Sequence, residues 1–267
     1  MIFASDIDRT LIFSYRFVTD ETQKKSLLCM ETVDNKEISY MKKDAFDKLL
    51  EISQLVHVIP VTMRSLKEYN RLIFSEELEY AIVCNGGVIL RNGSPLKEWE
   101  REISKIKPRN YKNLMLVLQD YDKFFKKPMR LVDDIYFFAS IKEDFSEQKE
   151  EIKTYIEKVL KDKFYDWNVV LNSNKIYVCP KNISKDKALS FLKKYIEKEE
   201  FKKSYLIVAG DGPVDLPMLQ LGNQRIIPDN SAILKEDLSK LPYLRVKPSF
   251  EGTENLLNIV ERMSLVV

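Results

Sequence analysis

The amino-acid sequence predicts an α/β protein: a Rossmann-like parallel-sheet core interrupted by an inserted α+β module. Three observations predict it. Short apolar runs at 2–7, 81–84 and 204–209 end in acids or glycines, as buried parallel strands with functional carboxyl ends do. Amphipathic stretches of helical period recur between them. After Gly87 this alternation gives way to paired strands, and it resumes near residue 181.

Taken in order, the run 2–7 is the first strand, and residues 26–33 alternate towards a turn signal at Asp34-Asn35, which predicts a β-hairpin flap within 11–40. Apolar residues at 45, 46, 49, 50 and 52 make 42–53 an amphipathic helix. Strand 56–61 follows, then a helix from about Ser65, whose hydroxyl and Glu68 form a capping box. Ala81–Cys84 is a third buried strand, closed by Asn85-Gly86-Gly87. The module then reads as strands 88–91 and 96–99, a charged helical stretch 101–126 broken at Pro108, strand 129–141, helix 146–162, and strands 167–171 and 175–179 around Asn172-Ser173-Asn174. Helix 184–199, strand 204–209, loop 210–213, helix 214–221, strand 224–227, helix 231–239, strand 243–246 and helix 252–263 complete the chain. The domains are therefore 1–87 with 181–267 as the core and 88–180 as the insertion.

Composition excludes several classes of function. The 267 residues carry 43 basic and 41 acidic side chains, a net charge of +2, so there is no general attraction to nucleic acid. The lysine pairs are interleaved with glutamates, as on solvated helix faces. No apolar run reaches the ~18 residues of a membrane span, and the N-terminus has acids where a secretory signal needs bases, so the expected location is the cytoplasm. Cys29, Cys84 and Cys179 are odd in number and widely spaced, which fits neither a disulfide frame nor a zinc knuckle. The single histidine, His57, rules out multi-histidine zinc sites and reads as structural, at the start of a buried strand. Acid–base work falls to carboxylates and lysines.

Ligands of open parallel sheets lie beyond the carboxyl ends of the strands. Gathered there are Asp6-Ile7-Asp8-Arg9-Thr10, Thr62, Asn85-Gly86-Gly87 and Gly210-Asp211-Gly212-Pro213-Val214-Asp215. Four carboxylates converging on one crevice repel one another, and a hard cation is their natural resident. Mg²⁺ suits such a site, because it takes one or two carboxylates, waters and a substrate phosphate. Glycine is scarce, seven residues against the roughly 19 that average usage would give. Four of the seven (Gly86, Gly87, Gly210, Gly212) fall at these strand ends.

These residues resemble the haloacid dehalogenase superfamily of phosphohydrolases. Its Asp-x-Asp-x-Thr motif stands as Asp6-Ile7-Asp8-Arg9-Thr10, and its strand-ending Thr or Ser is Thr62 in Val61-Thr62-Met63-Arg64-Ser65. Its helix-opening Lys is Lys185 in Lys185-Asp186-Lys187-Ala188-Leu189, and its Gly-Asp-x-x-x-Asp is Gly210 to Asp215. The insertion resembles the type C2 cap of the Cof-type and sucrose-phosphatase-like subclass, and Asp215-Leu216-Pro217-Met218-Leu219 resembles mannosyl-3-phosphoglycerate phosphatases. Arg9, Met63 and Asp186 depart from the glycines usual there.

The resemblance implies a Mg²⁺-dependent phosphatase of a small phosphorylated metabolite, a sugar phosphate or phosphoglycerate-type ester, acting through an aspartyl-phosphate. Asp6 would be the nucleophile, Asp8 the acid and base, and Lys185 and Thr62 the groups that hold the phosphoryl oxygens. Asp6, Asp8 (through its backbone carbonyl), Asp211 and Asp215 would form the metal set, with Asp215 supporting the ion or holding Lys185. Lys187 rivals Lys185, but two positions along a helix the side chain points about 200° away. Arg64, Asn85 and Gly86 are further candidates for substrate contact. Alternatives are a phosphotransferase or phosphomutase of the same family, or a non-catalytic sensor of a phosphorylated ligand. A receiver-type phospho-acceptor domain also gathers acids, Thr and Lys, but needs no cap. The expected assembly is a monomer or weak homodimer.

Overall fold

The computed structural model describes residues 1–266, which form two compact units: Met1–Trp99 with the segment from Lys185 onward, and Glu100–Ser184. The first unit is built on a five-stranded parallel sheet, in the order Leu244–Val246, Gln224–Pro228, Leu206–Ala209, Ile2–Ser5, His57–Pro60. Ile2, Phe3 and Ala4 are wholly buried, so the central strand is covered on both faces. Helices pack in two pairs, Lys43–Ser53 against Phe250–Ser264 and Lys185–Glu200 against Leu216–Leu221. Among the described residues no helix is long and apolar enough to cross a membrane.

The hairpin pairs Leu27–Val33 with Lys36–Lys42. Asp34 and Asn35 turn it with φ of 49° and 60°, the left-handed pair a tight hairpin requires. His57 starts its strand beside Ile2, at the end away from the acids, with Nε2 2.5 Å from Glu200 Oε1. The capping box on Ser65 and Glu68 is present, but its helix is a single turn, Leu66–Tyr69.

Several elements differ from expectation. Residues 80–83 form an antiparallel pair with Val88–Arg91 and join the parallel sheet through the bridge of Val61 with Ile82, where the Thr62 N–H donates to the Ile82 carbonyl at 2.8 Å. Residues 96–99 are not a strand: the helix Lys97–Ile106 starts there, burying Leu96, Trp99 and Ile103 at helical spacing. The core unit consequently runs to Trp99, past residue 87, because strand Val88–Arg91 pairs with core residues. The stretch 129–141 is two strands, Arg130–Val132 and Tyr136–Ser140, turned at Asp133 and Asp134 with φ of 46° and 56°. Helix 214–221 is a Pro213–Asp215 turn followed by Leu216–Leu221, and helix 231–239 shrinks to the 3₁₀ turn Ala232–Lys235.

The second unit has an antiparallel sheet in the order Trp167–Asn172, Lys175–Pro180, Tyr136–Ser140, Arg130–Val132. Phe137, Trp167, Ile176 and Val178 from the sheet bury against Leu114 and Leu118 of helix Tyr111–Leu118 and Ile152, Ile156 and Leu160 of helix Lys149–Lys163. The Trp167 indole N–H is satisfied by Asn110 Oδ1 at 2.9 Å.

Helix Phe250–Ser264 supports the first strand's turn directly. The Thr253 hydroxyl lies 3.1 Å from the Thr10 carbonyl and 3.3 Å from that of Leu11. One residue earlier, a Cβ on Gly252 would stand 1.6 Å from the Lys247 carbonyl oxygen. Gly252→Ala is therefore expected to destabilise the protein by about 2–3 kcal/mol, seen as a lower denaturation midpoint. An unchanged midpoint would show that the helix start moves freely.

Candidate active site

The parallel register converts separate motifs into one site. Beyond Ser5 the Asp6 N–H still donates to the Ala209 carbonyl, at 2.9 Å, so Asp6 comes to rest beside Gly210 and Asp211. Gly210 lets Asp215 approach: a Cβ at Gly210 would lie 2.6 Å from that of Asp215. Asp215 is fixed in turn by the Gly212 N–H, which donates to Oδ2 at 3.0 Å. Oxygens of Asp6, Asp211 and Asp215 all lie within 4.8 Å of one another.

Lys185, at the start of its helix, is 2 % exposed and donates from Nζ to Asp6 Oδ1 and Asp215 Oδ1, both at 2.6 Å. Lys187 is exposed, whereas Lys185 is enclosed with the acids. Burial alone would lower the Lys185 pKa, but Asp215 and Asp6 outweigh it and hold the ammonium charged. Burial pushes the Asp6 carboxyl well above the usual range; Lys185 opposes this, while Asp215, Asp211 and Asp8 add to it. Asp211 is pushed up to about 6, by burial first and then by Asp215, with Lys185 and Arg9 pulling the other way. Three carboxylates against one ammonium leave negative charge uncompensated in a buried place, and an all-oxygen donor set of this kind fits a divalent cation.

Asp8 is not part of that trio. Its carboxylate accepts from both arms of Arg64, Nε to Oδ2 at 2.9 Å and Nη2 to Oδ1 at 2.8 Å. Arg64, a candidate for substrate contact, is thus engaged by an acid of the site. Its Nη1 donates to Glu31 Oε2 at 2.8 Å, and Arg71 Nε donates to Glu31 Oε1 at 2.8 Å. Burial would lower the Arg64 pKa, but Asp8 and Glu31 keep the guanidinium charged. Glu31 and Arg71 escaped the sequence reading; the available signal was a lone acid interrupting an otherwise apolar hairpin strand.

Thr62 is buried, and its hydroxyl accepts the Arg64 N–H at 3.0 Å. Asn85 follows in a left-handed turn, Cys84 to Gly86, with φ of 54°, 55° and 93°, and its N–H donates to the Thr62 carbonyl at 3.0 Å. The Gly86 carbonyl accepts the Trp99 indole N–H at 3.0 Å, so this atom is already committed within the core unit.

Arg9 occupies φ of 65°, in the turn closed by its N–H donating to the Ile12 carbonyl at 2.8 Å. The motif it resembles has glycine there, where the left-handed region carries no Cβ penalty. Arg9→Gly is expected to be more stable than Arg9→Ala by about 1 kcal/mol. Equal denaturation midpoints of the two variants would contradict a strained turn.

The profile of the sucrose-6F-phosphate phosphohydrolase family matches residues 1–241. Among solved structures the chain is similar to the sucrose-phosphatase of Synechocystis, determined with sucrose and phosphate, at 12% identity over 98% of each chain with a TM-score of 0.65. It is also similar to the C-terminal domain of trehalose-6-phosphate phosphatase from C. albicans, at 13% identity over 96% of this chain and 91% of that one, TM-score 0.64. A haloacid dehalogenase-like hydrolase of Bacillus subtilis aligns at 16% identity over 96% and 90%, TM-score 0.54. At such identities these structures speak for the fold alone. No curated protein matches the chain. On the family match, supported by the parallel core and the four motifs it assembles, the chain belongs to the sucrose-6F-phosphate phosphohydrolase family of haloacid dehalogenase-like hydrolases and is a phosphoric monoester hydrolase.

Proposed function

We propose that the protein is a Mg²⁺-dependent phosphatase that hydrolyses a small phosphorylated metabolite, a sugar phosphate or phosphoglycerate-type ester, through an aspartyl-phosphate on Asp6. The observation that carries this reading is the buried Lys185 ammonium bridging Asp6 and Asp215, with Asp211 in the same cluster. The family match and a neighbour solved with sucrose and phosphate support the sugar-phosphate class.

Asp6, Asp211, Asp215 and the backbone carbonyl of Asp8 would hold the cation, which when bound neutralises acidic and phosphoryl charge. The chain's own residues do the rest. An Asp6 oxygen attacks phosphorus, and the P–O bond to the leaving alcohol breaks. Asp8 gives the leaving alkoxide its proton, then takes one from the water that cleaves the aspartyl-phosphate, so the carboxylate of Asp6 and inorganic phosphate are released. Lys185 and the Thr62 hydroxyl face the transferring phosphoryl oxygens, where negative charge spreads in the transition state.

The test is phosphate release from a panel of sugar phosphates and phosphoglycerates with Mg²⁺ and with EDTA. Turnover that EDTA abolishes is expected. Failure to release phosphate from every ester, p-nitrophenyl phosphate included, sinks the reading.

A further inference from the structure

Asp8 lies on an exposed turn, its side chain 55% accessible, yet an acid–base residue must hold one orientation to be effective. Its carboxylate plane is set by the two-pronged grip of Arg64, at 2.8 and 2.9 Å. Arg64 is anchored through its backbone, donating to the Thr62 hydroxyl at 3.0 Å and accepting the Cys84 N–H at 2.8 Å. Its guanidinium is anchored by Glu31, from the hairpin, at 2.8 Å, with a longer Nη1 contact to the Glu68 carbonyl at 3.5 Å.

Glu31 is built for this task. Its side chain is 3% exposed, and both oxygens are used: Oε2 by Arg64 and Oε1 by Arg71. It sits where the hairpin register shifts, between Cys29 and Thr32, an irregularity of the kind that re-aims a side chain. Two acids and two arginines balance in a row, Asp8, Arg64, Glu31, Arg71, so the hairpin is tied to the turn that follows the first strand. A buried carboxylate with two cations is costly to assemble unless each partner is held in place.

We propose that Glu31 is a positioning residue for the reaction: by fixing the Arg64 fork it orients the Asp8 carboxylate towards the leaving-group oxygen. This rests on the phosphatase reading and on the acid–base role of Asp8 within it. Glu31 touches no reacting atom, so its effect should follow how much the leaving group needs a proton. An alkoxide from a sugar phosphate needs one; p-nitrophenolate, a far weaker base, does not.

The experiment is kcat/KM, which covers the steps through leaving-group departure, for a sugar phosphate and for p-nitrophenyl phosphate, in the wild type, Glu31→Gln and Arg71→Gln. Glu31→Gln should lose roughly 10²-fold on the sugar phosphate and less than about threefold on p-nitrophenyl phosphate. Arg71→Gln, which leaves the Arg64–Glu31 pair intact, should shift the ratio of the two substrates in the same direction by a smaller factor. Equal losses on both substrates, or no loss, with an active wild type overturn the positioning role alone. Should Glu31→Gln fail to fold, the substrate ratio of Arg71→Gln decides, and an unchanged ratio overturns the proposal. A wild type inactive on p-nitrophenyl phosphate and on every sugar phosphate and phosphoglycerate of the panel instead overturns the phosphatase reading, and this proposal with it.

Discussion

Asp6→Asn is expected to lower phosphate release by roughly 10⁴-fold or more, because the amide cannot form the acyl phosphate and the remaining groups act as a unit with it. The fold should survive. Burial holds the Asp6 carboxyl above its usual range, so the neutral amide removes a charge the site tolerates poorly, and Lys185 keeps Asp215 as a partner at 2.6 Å. The measurement is phosphate release beside a thermal melt, with mass spectrometry of rapidly quenched enzyme for the phosphorylated Asp6 peptide. A folded Asp6→Asn variant that retains turnover would remove Asp6 from the nucleophile role.

Lys185→Met is expected to fail in a different way. Asp6, Asp211 and Asp215 would then face one another without their ammonium, and removing one partner of a buried ion pair costs about 3–5 kcal/mol. For a chain of this size that is a fall in Tm of roughly 6–20 °C. Turnover should drop by about 10³-fold through loss of charge stabilisation at the phosphoryl group. The distinguishing observation is the effect of Mg²⁺ on the melt: it should restore more Tm in the variant than in the wild type, since the vacated charge must come from elsewhere. A Lys185→Met protein with a wild-type melt that Mg²⁺ leaves unmoved would show that the bridge carries no such burden.

Much of the core was legible because its signals are local. Buried parallel strands announce themselves as short apolar runs, and the acids closing them are residue types that phosphoryl chemistry demands whatever surrounds them. Asp6, Asp211, Asp215 and Lys185 are brought together accordingly. The misreadings arose where two local patterns coincide. Leu96 and Trp99 fit a strand as readily as a helix start until Ile103 is counted with them. Residues 129–141 conceal a turn, because two aspartates tolerate left-handed φ and the flanks are apolar on both sides. Residues 236–239 lack the apolar stripe that would hold a helix on the core, and only Ala232–Lys235 coils. Glu31 and Arg71 were invisible for another reason. Ion pairs spanning 33 and 40 residues of chain leave no periodic mark, and the partners of Arg64 lie on separate elements.

The placement of the first strand bears on how the chain is made. Ile2–Ser5 lies between His57–Pro60, synthesised soon after it, and Leu206–Ala209, synthesised much later. On the ribosome the earliest strand must therefore wait, with one edge unpaired, until the late strands emerge. The inserted unit is continuous and has its own apolar cluster, so it can close while the core is still half built. The acids are divided in the same way, with Asp211 following Asp6 by 205 residues of chain. A nascent chain therefore carries neither the site nor its electrostatic strain until nearly everything needed to balance it has been made.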